Sequence, residues 1–184
     1  MTLPNILTLS RIALIPIFVL AFYMPSADHR MIATGVFFFA GFTDWLDGYL
    51  ARKMNQSTKF GAFLDPVADK LMVAVALTMI VEDFNSMWIT IPSIIIIGRE
   101  IVISALREWM AEMGKRASVA VSYIGKVKTG AQMWAILLML FSPPGEIIAN
   151  IGIALLYLAS VLTLWSMVIY LKAAWPDLTA EMHN

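Results

Sequence analysis

Cysteine is absent from this chain of 184 residues, which excludes disulfides, thiolate metal sites and cysteine nucleophiles. Charge is scarce: Asp, Glu, Lys and Arg make up 14% of the residues, against about 25% in a soluble domain. The 13 basic and 13 acidic side chains cancel, so no global field draws the chain to nucleic acid or to an acidic surface. Histidine occurs twice, at His29 and His183, and neither lies near the acidic residues discussed below, so neither is a credible base. What remains is oily, with 60% hydrophobic residues and a mean hydropathy of +0.77. Such a composition predicts an integral membrane protein. The stretch "MTLPNILTLSRIALIPIFVLAFYMPSADHR" lacks a basic leader and a small-residue cleavage site, and is expected to be an uncleaved first span.

Crossing a hydrocarbon core takes about 20 residues of helix. Six apolar stretches approach that length, roughly 5 to 24, 31 to 51, 60 to 81, 87 to 108, 126 to 142 and 147 to 171. None alternates as a barrel strand does, so the expectation is an all-α fold of six transmembrane helices in a single domain, residues 1–184. The connections differ in charge. "PSADHR", "EDFNS" and "SPPGE" carry one basic residue, Arg30, whereas "RKMNQSTK" and the stretch from Arg107 to Lys128 are basic. The positive-inside rule then puts the basic connections and both termini in the cytoplasm. Trp88 and Trp175 fall near the expected water boundaries and suit interfacial anchoring, while Phe37, Phe38 and Phe39 read as lipid-facing or packing groups.

Against this background one segment stands out, "DWLDGYLARKMNQSTKFGAFLDPVADK", residues 44–70. Asp44 and Asp47 are three positions apart and share a face near the end of the second helix; Asp65 and Asp69 are four apart and share a face near the start of the third. Antiparallel neighbours joined by a short turn bring the four acids to one depth, near the cytoplasmic surface. Pro66 leaves two possibilities: Asp65 caps a helix that begins with the proline, or the proline lies inside a helix that began near Thr58. Ionised carboxylates this close repel one another, and protonation or a cation must relieve the repulsion. Arg52 and Lys70 are near in sequence, but an all-oxygen ligand set without His or Cys also suits magnesium or manganese, and four carboxylates suit two ions. Two such ions clamp phosphate oxygens during an in-line displacement. Gly48 and Gly61 leave the helix faces beside the acids without side chains to hold off a ligand.

Asp44, Asp47, Gly48, Ala51, Arg52, Gly61, Asp65 and Asp69 match D-x2-D-G-x2-A-R-x8-G-x3-D-x3-D, and in this the chain resembles the CDP-alcohol phosphotransferases. The resemblance implies a six-helix membrane fold, usually a homodimer, with its active site at the cytoplasmic side of the bacterial inner membrane. It implies transfer of a phosphatidyl or similar group from a CDP-linked donor to an alcohol, with release of CMP. It also implies that Asp44, Asp47 and Asp65 bind metal, that Asp69 acts as base while helping to hold the second ion, and that Gly48, Ala51, Arg52 and Gly61 line the donor site.

"LPNILTLSRI", "IIGREIVISALRE" and "GKVKTGAQ" are similar to the bacterial branch that couples CDP-diacylglycerol to sn-glycerol 3-phosphate, whereas the last helix carries no such signal. A dianionic acceptor needs several fixed cations near the metal centre. Arg11, Arg99, Arg107, Lys126 and Lys128 are expected at the cytoplasmic helix ends, with Thr8 as a hydroxyl donor beside Arg11, and Glu100 is read as neutralising part of this group. Inositol phosphate as acceptor would need similar cations; serine or phosphatidylglycerol would not. A cation channel or transporter would spread ionisable groups through the membrane, and the opposite half here is nearly bare of charge.

Overall fold

Backbone amides in an apolar setting must find partners within their own segment, and each apolar stretch accordingly forms a helix. The computed structural model describes residues 3–54, 59–112 and 123–181, with the side chains of 8–44, 46, 64, 66–112, 125 and 127–175. In chain order the helices are α1 (Leu3–Phe22), α2 (His29–Met54), α3 (Lys59–Phe84), α4 (Met87–Glu112), α5 (Tyr123–Phe141) and α6 (Ile147–Glu181). No strand occurs among the described residues. Met87–Glu112 and Ile147–Trp175 are long and apolar enough to cross a membrane, and Thr8–Phe22 and Val127–Phe141 are shorter apolar segments. The helices run a little beyond the predicted stretches, most of all α6, which continues past residue 171 to Glu181. Pro66 lies inside α3, so the second of the two sequence possibilities holds, and Asp65 is a helical residue rather than a cap.

The breaks between helices have local causes. Asn85 adopts a left-handed φ of 44°, a conformation in which a short polar residue ends a helix, and Ser86 then opens α4, its carbonyl accepting from the amides of Ile89 and Thr90. Between α5 and α6, Pro143, Pro144 and Gly145 stop the helix, and Gly145 takes a φ of 93° that a side chain would strain. Hydroxyls within the helices turn back on their own chain: Thr34 donates to Arg30 O, Thr78 to Ala74 O and Ser93 to Ile89 O. Such bonds satisfy a polar group without a partner helix.

Packing follows the chain in pairs, α1 against α2 and most extensively α5 against α6, with α3 joining the first pair and α4 the second. Phe18 and Phe37 meet in the core with ring centroids 5.9 Å apart, beside fully buried Leu77, Ile80, Ile136, Met139 and Leu156. Phe38 and Phe39, by contrast, are exposed, as are Leu20, Ile94, Ile101, Val161 and Trp165. Water would penalise so many exposed apolar groups, whereas hydrocarbon solvates them. The α5–α6 contact is close because Gly152 has no side chain: a Cβ there would lie 2.7 Å from Met139 Cγ and 3.1 Å from the Ala135 carbonyl oxygen.

At the end remote from the motif, Arg30 Nη2 donates to both carboxylate oxygens of Asp83, at 2.8 and 2.7 Å. Tyr23 donates to Glu82 beside it. These contacts tie the start of α2 to the end of α3 and neutralise Arg30, the one basic residue that the sequence places in this half. Between this clamp and the motif lies the apolar core, so charge concentrates at the two ends of the bundle.

Candidate active site

Helix α2 ends with the motif's first pair of aspartates and α3 begins with its second, so both pairs lie at the same end of the bundle. Of the four, Asp44 and Asp69 have described side chains; those of Asp47 and Asp65, like those of Gly48, Ala51, Arg52, Gly61 and Lys126, lie outside the described residues. Asp44 is half-exposed and is paired with Arg11 of α1, which is 3% exposed. One turn before Arg11, Thr8 is buried as well. Arg11, Asp44 and Asp69 border one narrow cleft, walled on its apolar side by Phe37, Met72 and Met133. Arg11 supplies a positive charge beside Asp44 that the sequence reading had not paired with the acids.

Asp69 also borders a second, larger space. A cavity of about 280 Å³ opens between α3, α4, α5 and α6, and Lys70, Arg99, Arg107 and Lys128 line it together with the carboxylates Asp69 and Glu100. Among the described residues, four cations against two carboxylates leave an excess of two positive charges. Helical spacing explains the convergence. Arg99 and Arg107 are eight positions apart, two turns along one face of α4, while Lys128 and Gln132 on α5 and Ser166 and Tyr170 on α6 are each four apart.

These side chains form a connected set. Glu100 Oε1 accepts from Lys128 Nζ at 2.5 Å and from Arg99 Nη1 at 3.1 Å. Arg99 Nη2 donates to Ser166 Oγ at 3.0 Å. Lys70 donates to Ser104 Oγ, and Ser104 donates to the Glu100 carbonyl. Arg107 Nη2 donates to the Tyr170 hydroxyl at 2.6 Å. Lys128 and Arg99 are 6% and 10% exposed, so their charges are largely withdrawn from water and need these partners. A partly open cluster with surplus positive charge and many donors has the chemistry of an oxyanion site.

Comparison with known proteins places the chain in a family. A family model described as CDP-alcohol phosphatidyltransferase matches residues 1–165. The chain belongs to the CDP-alcohol phosphatidyltransferase family. It is 60% identical over 176 residues to a protein of Pectobacterium atrosepticum, covering 96% of each chain. A protein of Sodalis glossinidius is 58% identical over 178 residues, covering 97% of each, and one of Salmonella paratyphi A is 57% identical over 176 residues, covering 96% of each. All three bear the name CDP-diacylglycerol–glycerol-3-phosphate 3-phosphatidyltransferase.

In this CDP-alcohol phosphatidyltransferase, then, Asp69 stands between two compartments, the cleft that holds Asp44 and the cavity that holds the cations. Arg99, Arg107 and Lys128, which the sequence reading grouped, do line one cavity. Arg11 does not join them; it borders the cleft and pairs with Asp44. Glu100 was read as neutralising part of the basic group, and it does accept from Lys128 and Arg99. Lys70 was read as a partner for the acids, and Ser166 and Tyr170, on a helix that carried no motif, were missed. Their one sequence signal was a polar pair at helical spacing within an apolar span.

The donor set fits a hard divalent cation, since Asp44 and Asp69 present only oxygens and no histidine among the described residues borders their cleft. Among the described residues no group of three or more metal-ligating side chains converges.

Proposed function

We propose that this protein transfers the phosphatidyl group of CDP-diacylglycerol to the primary hydroxyl of sn-glycerol 3-phosphate, giving phosphatidylglycerophosphate and CMP. The observation that carries this reading is the position of the four-cation cavity beside Asp69 of the family motif. The names of relatives at 57–60% identity support it. Among acceptors, serine lacks a phosphate to match the surplus charge, whereas glycerol 3-phosphate carries a dianion on a short three-carbon stem.

In the proposed mechanism the acceptor phosphate sits among Arg99, Arg107 and Lys128, which turns its free hydroxyl toward Asp69. Asp69 takes the proton of that hydroxyl. The oxygen forms a bond to the phosphorus bearing the diacylglycerol, and the bond from that phosphorus to CMP breaks. Gly48, Ala51, Arg52 and Gly61 hold the cytidine diphosphate portion of the donor, with Arg52 taking up charge on the departing CMP. Two divalent ions, magnesium or manganese, held by Asp44, Asp47, Asp65 and Asp69, would neutralise the diphosphate when bound. Preorganised charge and positioning supply most of the acceleration, as in other phosphoryl transfers. Net inversion at phosphorus is the expected stereochemical outcome; retention would overturn direct attack in favour of a phosphatidyl-enzyme intermediate.

The proposal includes the setting. All six helices span the bacterial inner membrane, the motif end and both termini face the cytoplasm, and two copies associate. Support comes from the basic connections at the motif end and the apolar outer face of the bundle. The test of function is purified protein with CDP-diacylglycerol and magnesium, offered glycerol 3-phosphate, inositol phosphate, serine or phosphatidylglycerol in turn. CMP release is expected with glycerol 3-phosphate far above the others. Faster release with any other alcohol would refute the assignment.

A further inference from the structure

The cation cavity has a wall that neither the motif nor the basic segments announced. Tyr170 of α6 stands against both arginines of α4. Its hydroxyl accepts from Arg107 Nη2 at 2.6 Å, its ring centroid lies 5.0 Å from the Arg107 Cζ, and the Arg99 Cζ is 5.8 Å from the same centroid. One turn earlier, Ser166 Oγ donates to the Thr163 carbonyl at 2.8 Å and accepts from Arg99 Nη2 at 3.0 Å. Each guanidinium is thus held by a hydroxyl and faces an aromatic ring. That matters because a guanidinium binds a phosphate through paired, coplanar N–H groups, which are useful only if the plane is fixed beforehand.

The hold leaves donors to spare. Arg99 is 10% exposed, yet its Nε is buried without a hydrogen-bond partner among the described residues. Ser166 and Tyr170 both lie beyond residues 1–165, the stretch that the family model matches.

We infer that Tyr170, supported by Ser166, is a positioning residue that fixes Arg99 and Arg107 to receive the phosphate monoester of the acceptor. The inference rests on the function proposed above and deepens it, since it gives α6 the task of matching the site to a phosphorylated alcohol. On this reading Tyr170 acts through the arginines rather than on the reacting hydroxyl or the donor.

Tyr170→Leu and Tyr170→Phe separate the contributions. Leucine removes both the hydroxyl and the ring, and should raise the Michaelis constant for glycerol 3-phosphate roughly 10-fold or more. Phenylalanine keeps the ring and should raise it about 3-fold. In both variants the Michaelis constant for CDP-diacylglycerol should stay within about twofold of wild type, and competitive inhibition by inorganic phosphate should weaken in step with the acceptor. A loss of packing alone would move both constants, or turnover alone. An acceptor constant within about twofold of wild type in Tyr170→Leu, or an equal rise for donor and acceptor, overturns the inference. Should the leucine variant not fold, Tyr170→Phe decides: an unchanged acceptor constant overturns the inference. Wild-type CMP release with glycerol 3-phosphate is measured first, so a failure of the proposed function is told apart from a failure of the positioning role.

Discussion

Replacing Glu100 by glutamine removes a carboxylate whose Oε1 accepts from Lys128 Nζ at 2.5 Å and from Arg99 Nη1 at 3.1 Å. Both cations are nearly buried, at 6% and 10% exposure, whereas Glu100 itself is 26% exposed. Breaking a fully buried ion pair from one side costs about 3–5 kcal/mol, because the remaining charge is stranded. Water reaching Glu100 reduces this, and about 2 kcal/mol is a reasonable expectation for Glu100→Gln. For a chain of this length that corresponds to a fall of about 4–8 °C in the thermal midpoint. The assay is thermal unfolding of detergent-purified protein, with and without inorganic phosphate. Phosphate should stabilise the variant more than the wild type, since a bound dianion replaces the missing negative charge. Adding Lys128→Met to Glu100→Gln should recover part of the loss, because the stranded ammonium is removed with its partner. An unchanged midpoint in Glu100→Gln, or a double variant that is simply the sum of two losses, would refute this account of the cavity's electrostatics.

Further expectations concern other parts of the molecule. Asp44→Asn and Asp69→Asn should both abolish CMP release; Asp69→Asn should leave the thermal midpoint near that of wild type, whereas Asp44→Asn should also lower it, because it takes a carboxylate partner from nearly buried Arg11; near-normal turnover in either would remove that residue from the proposed mechanism. Gly152→Val should destabilise the protein by about 2 kcal/mol or more, as even a Cβ meets Met139 at 2.7 Å and the backbone oxygen of Ala135 at 3.1 Å; unfolding midpoints read this directly, and a wild-type value would mean the helices part freely. Arg30→Ala breaks the bond to both oxygens of Asp83 at the remote end. It should cost about 1–3 kcal/mol of stability with unchanged Michaelis constants, and a selective rise in the acceptor constant would contradict the separation of the two ends.

The six helices were legible because apolar runs without alternation leave the backbone one way to satisfy itself, and the motif was legible because its acids keep fixed spacings across two of those runs. Asp69, Arg99, Arg107 and Lys128 come together as their positions at the helix ends suggested. Arg11 could not be assigned this way. It lies at the same depth as the other cations, but only the packing of α1 against α2 directs it to Asp44 rather than to the cavity. Ser166 and Tyr170 were hidden for a related reason: on an almost uniformly apolar helix only that polar pair marks the face that meets α4. Pro66 was ambiguous because proline is tolerated both at a helix start and, where surrounding groups satisfy the freed carbonyl, inside one.

The central claim is that the cavity between α3 and α6 seats the acceptor with its hydroxyl toward Asp69. A structure of the protein with bound glycerol 3-phosphate tests it most directly. The account requires the phosphate among Arg99, Arg107 and Lys128 and the free primary hydroxyl within about 3 Å of an Asp69 carboxylate oxygen. A phosphate found instead beside Arg11, or a hydroxyl turned away from Asp69, would contradict it.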